Sequence, residues 1–172
     1  MTMKEDPVLV AYGSKRGGTA EIAEWIAAAL RSEHVAAESK SADEIHSLDG
    51  YCAVVLGGAL YAGRWHGQAR RFTRRFTRQL RERPVWLFGS GPLDDSADLS
   101  DPRKVPGTNG VRKAAERLGA REYAIFGGRL TPDARGFPAS AMAKTHAGDF
   151  RNKERITAWA ADIATQLTYQ TR

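Results

Sequence analysis

Three stretches of this chain are apolar without interruption: Val8 to Ala11, Cys52 to Leu56 and Val85 to Phe88. A strand with one wet face alternates apolar and polar side chains, whereas an unbroken apolar run fits a strand covered on both faces of a parallel sheet. Between these runs lie longer segments whose apolar residues recur at helical spacing. Thr19–Arg31 brings Ile22, Ile26, Ala29 and Leu30 to one side, and Gln68–Arg81 does the same with Ala69, Phe72, Phe76 and Leu80. Asn109–Leu118 aligns Val111, Ala114, Ala115 and Leu118, and Arg151–Leu167 aligns Ile156, Ala160, Ile163 and Leu167. Val35–Ser39 is mixed in character and reads as an edge strand, and Tyr123–Phe126 reads as the last of five strands. Strands alternating with helices predict an α/β fold, an open parallel sheet with helices on both faces. The 172 residues carry no repeat or low-complexity linker, so a single domain over residues 1–172 is expected.

In such sheets ligands sit beyond the carboxyl ends of the strands, and the strand ends here are unusual. The first strand stops at Tyr12-Gly13 and runs through Ser14-Lys15-Arg16-Gly17-Gly18 to Thr19, where a helix begins. The unpaired N–H groups of a first helical turn point at an anion, and the helix dipole favours its charge. Ser14 and Thr19 add hydroxyl donors, while Gly17 and Gly18 let the backbone come close. The dinucleotide spacing G-x-G-x-x-G is absent. Gly13 and Gly18 have the spacing of a nucleotide-triphosphate loop, but Thr19-Ala20 follows where Lys-Ser/Thr is required, which argues against nucleotide hydrolysis. The later strands end in Gly57-Gly58-Ala59-Leu60-Tyr61-Ala62-Gly63-Arg64-Trp65-His66, in Gly89-Ser90-Gly91-Pro92-Leu93 and in Gly127-Gly128-Arg129-Leu130. Glycine gathers at one edge, where backbone is expected to pass close to something flat, and Tyr61 and Trp65 put aromatic faces on that edge.

The loop Tyr12–Thr19 resembles the FMN-phosphate loop of flavodoxins, Ser/Thr-x-x-Gly-x-Thr. Leu60-Tyr61-Ala62-Gly63-Arg64-Trp65, Phe126-Gly127-Gly128-Arg129-Leu130 and Gly148-Asp149-Phe150-Arg151 are similar to one branch of flavodoxin-domain proteins, which includes the quinone-coupled protoporphyrinogen dehydrogenases of haem biosynthesis. The resemblance spans nearly the whole chain. It implies a flavodoxin-like three-layer sandwich with strand order 2-1-3-4-5, FMN as cofactor, and an FMN-dependent oxidoreductase. That enzyme would oxidise a protoporphyrinogen-like substrate and pass electrons to a quinone or a redox partner protein. By this likeness Ser14, Lys15, Arg16, Gly17, Gly18 and Thr19 hold the phosphate. Ala59, Leu60, Tyr61, Ala62, Gly63 and Trp65 cover one face and edge of the ring, and Gly89, Ser90, Gly91 and Pro92 cover the other. The alternatives are an electron-transfer flavodoxin with no small-molecule substrate, a 5-deazaflavin binder, and a basic binding module with a vestigial flavin site. Charge is a departure: carrier flavodoxins are typically acidic, whereas this chain is +6 with a pI near 9.7.

That charge is concentrated. Arg64, Arg70, Arg71, Arg74, Arg75, Arg78, Arg81 and Arg83 stand against a single Glu82, and Arg71, Arg74, Arg75 and Arg78 fall opposite the Phe72/Phe76 stripe. Such a face fits a solubilising surface, docking to an acidic redox partner, or attraction to an anionic membrane. Nucleic acid is not expected, because Phe72 and Phe76 are needed for the core and leave no aromatic to stack on bases. Leu93–Gly107 and Thr131–Asp149 read as long irregular segments, which are usually functional or mobile, and either leaves a strand end from which it could cover the flavin. The second carries Arg135, Phe137, Met142, Lys144 and His146 beyond Arg129, a platform with cations around it for a planar anionic substrate.

No acid–base dyad stands out, and in a flavoenzyme the hard chemistry belongs to the ring. His66, at a helix start near the expected ring edge, and Arg129 are the candidate catalytic residues. Ser90 lacks the G-x-S-x-G context of a nucleophile elbow. The histidines at 34, 46, 66 and 146 show no paired spacing and Cys52 falls in a strand expected to be buried, so no metal site is predicted. One cysteine, no signal pattern and no membrane-length apolar run predict a cytoplasmic protein, with the arginine face available for peripheral contact with the inner face of the membrane.

Overall fold

The structure, a computed structural model, describes residues 5–14, 17–61, 63–94, 96–99, 101–130 and 148–170. Its main sheet contains β1 (Val8–Gly13), β2 (Ala37–Ser41), β3 (Ala53–Tyr61), β4 (Arg64–Trp65), β5 (Val85–Ser90) and β6 (Glu122–Phe126). The parallel strands run in the order β2-β1-β3-β5-β6, and β4 folds back antiparallel on the end of β3, pairing Leu60 with Trp65. Apart from the short β4, this is the expected 2-1-3-4-5 order. Helices α1 (Gly18–Ser32), α2 (Gly67–Arg75), α3 (Thr77–Arg81), α4 (Ser96–Leu99), α5 (Asn109–Leu118) and α6 (Lys153–Gln170) flank it. A separate two-stranded ladder joins β7 (Arg129–Leu130) to β8 (Gly148–Asp149).

The unbroken apolar runs have a simple cause. Successive side chains of β1 go to opposite faces. Val8 and Val10 join Ile22, Ile26 and Leu30 of α1 and Ile156, Ala160 and Ile163 of α6. Leu9 and Ala11 join Phe72 of α2, Leu80 of α3 and Val111 and Leu118 of α5. β3 and β5 divide in the same way, with Val55 and Phe88 on the first side and Leu56 and Leu87 on the second. Both faces are therefore dry, and truncating a buried leucine or isoleucine to alanine in such a core costs about 2–5 kcal/mol. On the α1/α6 side, Phe126 meets Trp159 edge-on, with ring centroids 5.5 Å apart. Phe88 lies over Gly57, where an added Cβ would stand 1.9 Å from Phe88 Cζ. That glycine makes room for a core ring, not for a ligand.

Three expectations are corrected. The helix expected over 68–81 breaks at Phe76 (φ −110°, ψ 21°), where Thr77 Oγ1 donates to Thr73 O at 2.6 Å. Phe72, Phe76 and Leu80 are all buried across the break, so the apolar period continues and conceals it. Cys52 is exposed and precedes β3, because the strand's covered part begins at Ala53. Residues 93–107 are not structureless: α4 and a 3₁₀ turn over Pro102–Lys104 interrupt them, Ala97 and Val105 enter the core, and Thr108 Oγ1 donates to Val105 O at 2.9 Å. At the free edge of the sheet, β2 buries Ala37 and exposes Glu38 and Lys40. Among the described residues no helix is long and apolar enough to cross a membrane.

Candidate functional site

A cleft partly open to solvent lies at the carboxyl ends of β1, β3, β5 and β6. Its floor is the start of α1. Gly17 takes the left-handed conformation (φ 80°, ψ −14°), its amide donates to Ser14 Oγ at 3.2 Å and its carbonyl accepts from Glu21 N at 3.0 Å. Among the described residues no side chain caps the helix, so the first N–H groups remain for an external anion. Ser14, Gly18 and Thr19 line the cleft, and Thr19 is only 3 % exposed.

This helix start is held by a residue that sequence reading quoted without giving it a role. Arg151, with a side chain 4 % exposed, forms an ion pair with Glu21 at 2.7 Å and donates to Gly18 O at 3.3 Å. It grips both oxygens of Asp149, Nε to Oδ1 at 2.9 Å and Nη2 to Oδ2 at 2.8 Å, and its guanidinium stands 4.7 Å from the centre of the Trp25 ring. Hydrogen bonding from Arg151 holds the Asp149 carboxyl below the ordinary aspartate value. One buried cation thus ties α1 to β8.

The walls are Ala59, Leu60 and Tyr61 on one side and Ser90, Gly91 and Leu93 on the other. Gly91 packs directly on Leu60, where a Cβ would stand 2.4 Å from Leu60 Cβ. Its amide donates to Phe126 O at 3.1 Å, Gly128 N donates to Pro92 O at 2.9 Å, and Ser90 Oγ donates to Gly127 O at 3.2 Å. Phe150 N donates to Gly128 O at 2.9 Å, and a Cβ on Gly127 would stand 2.0 Å from Phe150 O. The exits of β5 and β6 and the end of β8 therefore form one hydrogen-bonded wall, with Gly128, Arg129 and Leu130 closing the cleft toward α1.

Of the residues predicted for the site, Ser14, Gly18, Thr19, Ala59, Leu60, Tyr61, Ser90 and Gly91 line this cleft. Gly17 and Pro92 act through the backbone bonds just described. Gly63 makes the β3–β4 turn (φ 74°), and Gly89 faces Leu60 and Ile125 in the interior. Lys15, Arg16, Ala62 and residues 131–147, including Arg135, Phe137, Met142, Lys144 and His146, lie outside the described residues. Trp65 is corrected from ring edge to core: it is 1 % exposed, packs on Gly58 and donates from Nε1 to Phe88 O at 3.1 Å. His66 serves as the N-cap of α2, its Nδ1 accepting from Gln68 N at 3.2 Å. Leu93, the end of the 89–93 segment expected against the ring, also lines it, whereas Gly128 and Leu130 were missed as lining residues. Their signal was position alone, just past a strand end.

The arginine face survives with one member removed. Arg64, Arg70, Arg71, Arg74, Arg75, Arg78 and Arg81 are exposed. Arg83 instead donates to Leu48 O at 2.7 Å and Tyr51 O at 2.8 Å, stapling the chain ahead of β3. Among the described residues only long or exposed ion pairs touch the face, Arg71 with Asp43 at 4.0 Å and Arg78 with Glu82 at 3.4 Å.

A parallel sheet with an uncapped helix start after its first strand, and a slot between its middle strand exits, defines a mononucleotide-binding type of α/β protein. This chain belongs to the flavodoxin-domain family, whose signature matches residues 9–137. Solved structures agree in fold. An archaeal flavodoxin is 15% identical with a TM-score of 0.61, the match covering 94% of this chain and 99% of that one. Oxidised flavodoxin 2 from Bacillus cereus is 19% identical with a TM-score of 0.60, covering 93% and 99%. Rubredoxin oxygen:oxidoreductase from Desulfovibrio gigas is 14% identical with a TM-score of 0.64, covering 97% of this chain but 38% of that enzyme. No curated protein matches the sequence. Flavodoxin-type relatives bind FMN, and the groups present fit it: an uncapped helix start and a buried hydroxyl for one phosphate, and a walled slot above them.

Proposed function

We propose that this protein is an FMN-dependent oxidoreductase of flavodoxin type that passes electrons to a redox partner. The observation that carries this reading is the uncapped start of α1, with buried Thr19, at the floor of a cleft walled by Ala59–Tyr61 and Ser90–Leu93. Ser14, Gly18 and Thr19 would hold the phosphate, and the two walls would flank the ring and keep water from it. Bound FMN supplies one- and two-electron redox chemistry; the chain supplies position, exclusion of water and electrostatics. The flavodoxin-like part of rubredoxin oxygen:oxidoreductase shows the same fold within a redox enzyme. The exposed arginines would steer an acidic partner or an anionic surface.

A finer reading, oxidation of a protoporphyrinogen-like substrate with a quinone as acceptor, is favoured by one observation. The three segments that carry the sequence resemblance, around Leu60, Gly127 and Phe150, come together around one cleft: Leu60 in one wall packs on Gly91 of the other, and Gly127 and Phe150 join that second wall through Gly128. The test begins with an absorbance spectrum of the purified chain and mass spectrometry of the released ligand. Flavin absorbance with released FMN is expected; a 5-deazaflavin or no ligand overturns the cofactor. Turnover of protoporphyrinogen with a quinone then separates enzyme from carrier. Exchange with a reductase but none with that pair would favour the carrier.

A further inference from the structure

We propose that Arg129 is a phosphate-gripping residue, adding a full positive charge to the amide and hydroxyl donors at the start of α1. The inference rests on the FMN reading above and assigns Arg129 to the opposite end of the ligand from the substrate platform expected of it.

Position comes first. Arg129 opens β7, and its Cβ lies 3.6 Å from the point where a Cβ on Gly18 would stand, with its carbonyl oxygen 4.0 Å from that point. It lines the same cleft as Ser14, Gly18 and Thr19. The residue thus leans on the first turn of α1, the turn whose N–H groups have no side-chain cap. The Gly127–Phe150 contact and the ladder to β8 hold its backbone there.

The neighbouring charges explain why this arginine remains available. Two carboxylates lie close by, Asp149 across the β7–β8 ladder and Glu21 in the first turn of α1. Arg151 takes up both, with bidentate bonds to Asp149 and a 2.7 Å pair to Glu21. Among the described residues Arg129 forms no ion pair of its own. Two arginines therefore share this corner. With Glu21 and Asp149 they sum to no net charge, but Arg151 takes the direct bonds of both acids, while Arg129 acts on Asp149 only through space and lines the mouth of the anion site. Arg129 is half-buried, so water screens it only in part. A phosphate meeting a guanidinium gains charge-assisted hydrogen bonds with defined geometry.

The role separates from substrate anchoring by which ligand responds. The 172-residue chain, stripped of flavin, is titrated with FMN and with riboflavin by flavin fluorescence, at low and high salt. Wild type, Arg129→Gln and Arg129→Lys are compared. Loss of the charged contact should weaken FMN about 10- to 150-fold in Arg129→Gln and leave riboflavin within about twofold. Arg129→Lys should recover a large part, because a lysine still offers the charge. Raising salt should weaken FMN for wild type more than for Arg129→Gln. An unchanged FMN-to-riboflavin ratio in Arg129→Gln overturns the proposal while leaving the FMN reading intact. Equal loss of both ligands also overturns it, since that marks a structural residue. No FMN binding by wild type overturns both.

Discussion

Arg151 and the exposed arginines of α2 and α3 do opposite work in this molecule. Arg151 has a side chain only 4 % exposed and is satisfied by Glu21, Asp149, Gly18 O and the Trp25 ring. Arg71 and Arg78 are 69 % and 90 % exposed, and their ion pairs are at 4.0 and 3.4 Å. A buried cation with converging acceptors fixes geometry, because removing it strands its partners. Exposed pairs contribute little to stability but shape the field a partner meets at long range. The comparison teaches that the net charge of +6 is no guide to which arginines matter for folding.

The sharpest way to break the comparison is Arg151→Met, which keeps volume and removes the charge. Glu21 and Asp149 are half exposed and can rehydrate, so the loss should fall below that of a wholly buried pair, at about 2–3 kcal/mol. In a chain of this size thermal unfolding should drop by about 5–10 °C, and a shift no larger than that of a surface change would remove Arg151 from the framework. The pH dependence follows the same bond. Arg151 depresses the folded pKa of Asp149 from 3.8, so its contribution is complete above about pH 4 and is lost as pH falls through the depressed value. Stability curves of wild type and Arg151→Met should therefore converge at acid pH; parallel curves would contradict the assignment.

Next in size is Thr19→Val, which keeps the shape of a buried side chain and deletes a hydroxyl at the proposed phosphate site. A hydrogen bond to a charged group is worth about 1.5–3 kcal/mol, so FMN affinity should fall about 10- to 150-fold. Unchanged affinity, or riboflavin binding as tight as FMN, would show that the α1 start holds no phosphate.

Charge reversal at Arg71, Arg74 and Arg78 should do the reverse of Arg151→Met. Unfolding should move by about 0.5 kcal/mol or less per site, while association with an acidic redox partner or anionic vesicles slows and added salt imitates the change. Association that survives the reversal would return the face to a solvating role. The smallest effect belongs to Asp101, a partly exposed carboxylate paired bidentately with Arg103, whose hydrogen bonds bring its pKa down to about 2. Side-chain titration by NMR should find that value, and a normal one near 3.8 would mean that the pair does not persist in solution.

The parallel sheet was legible because burial on both faces leaves an unmistakable mark in Val8–Ala11 and Val85–Phe88. The floor and walls of the cleft were legible as well, since strand ends in such sheets converge and the hydroxyl and glycine pattern at Ser14–Thr19 is local. Arg151 was not legible in this role. Its partners stand at positions 18, 21, 25 and 149, and nothing short of the folded chain brings them together. Trp65 failed for a different reason: an aromatic beside a loop looks alike whether it covers a ligand or fills a core, and only its bond to Phe88 O decides. The break at Phe76 was hidden by a stripe that runs straight through it.

The sheet's outer strand has a consequence for the behaviour of this protein in concentrated solution. β2 is five residues long, and its exposed Glu38 and Lys40 pair at 3.4 Å while Tyr51 donates to the same carboxylate at 3.0 Å. Another chain seeking to extend the sheet there would have to strip water from both charges, and short charged edges discourage such growth. At the opposite margin the turn over Pro102–Lys104 packs against β6. Both rims of the sheet thus carry their own protection against fibre-like self-assembly, independent of the site at its carboxyl end.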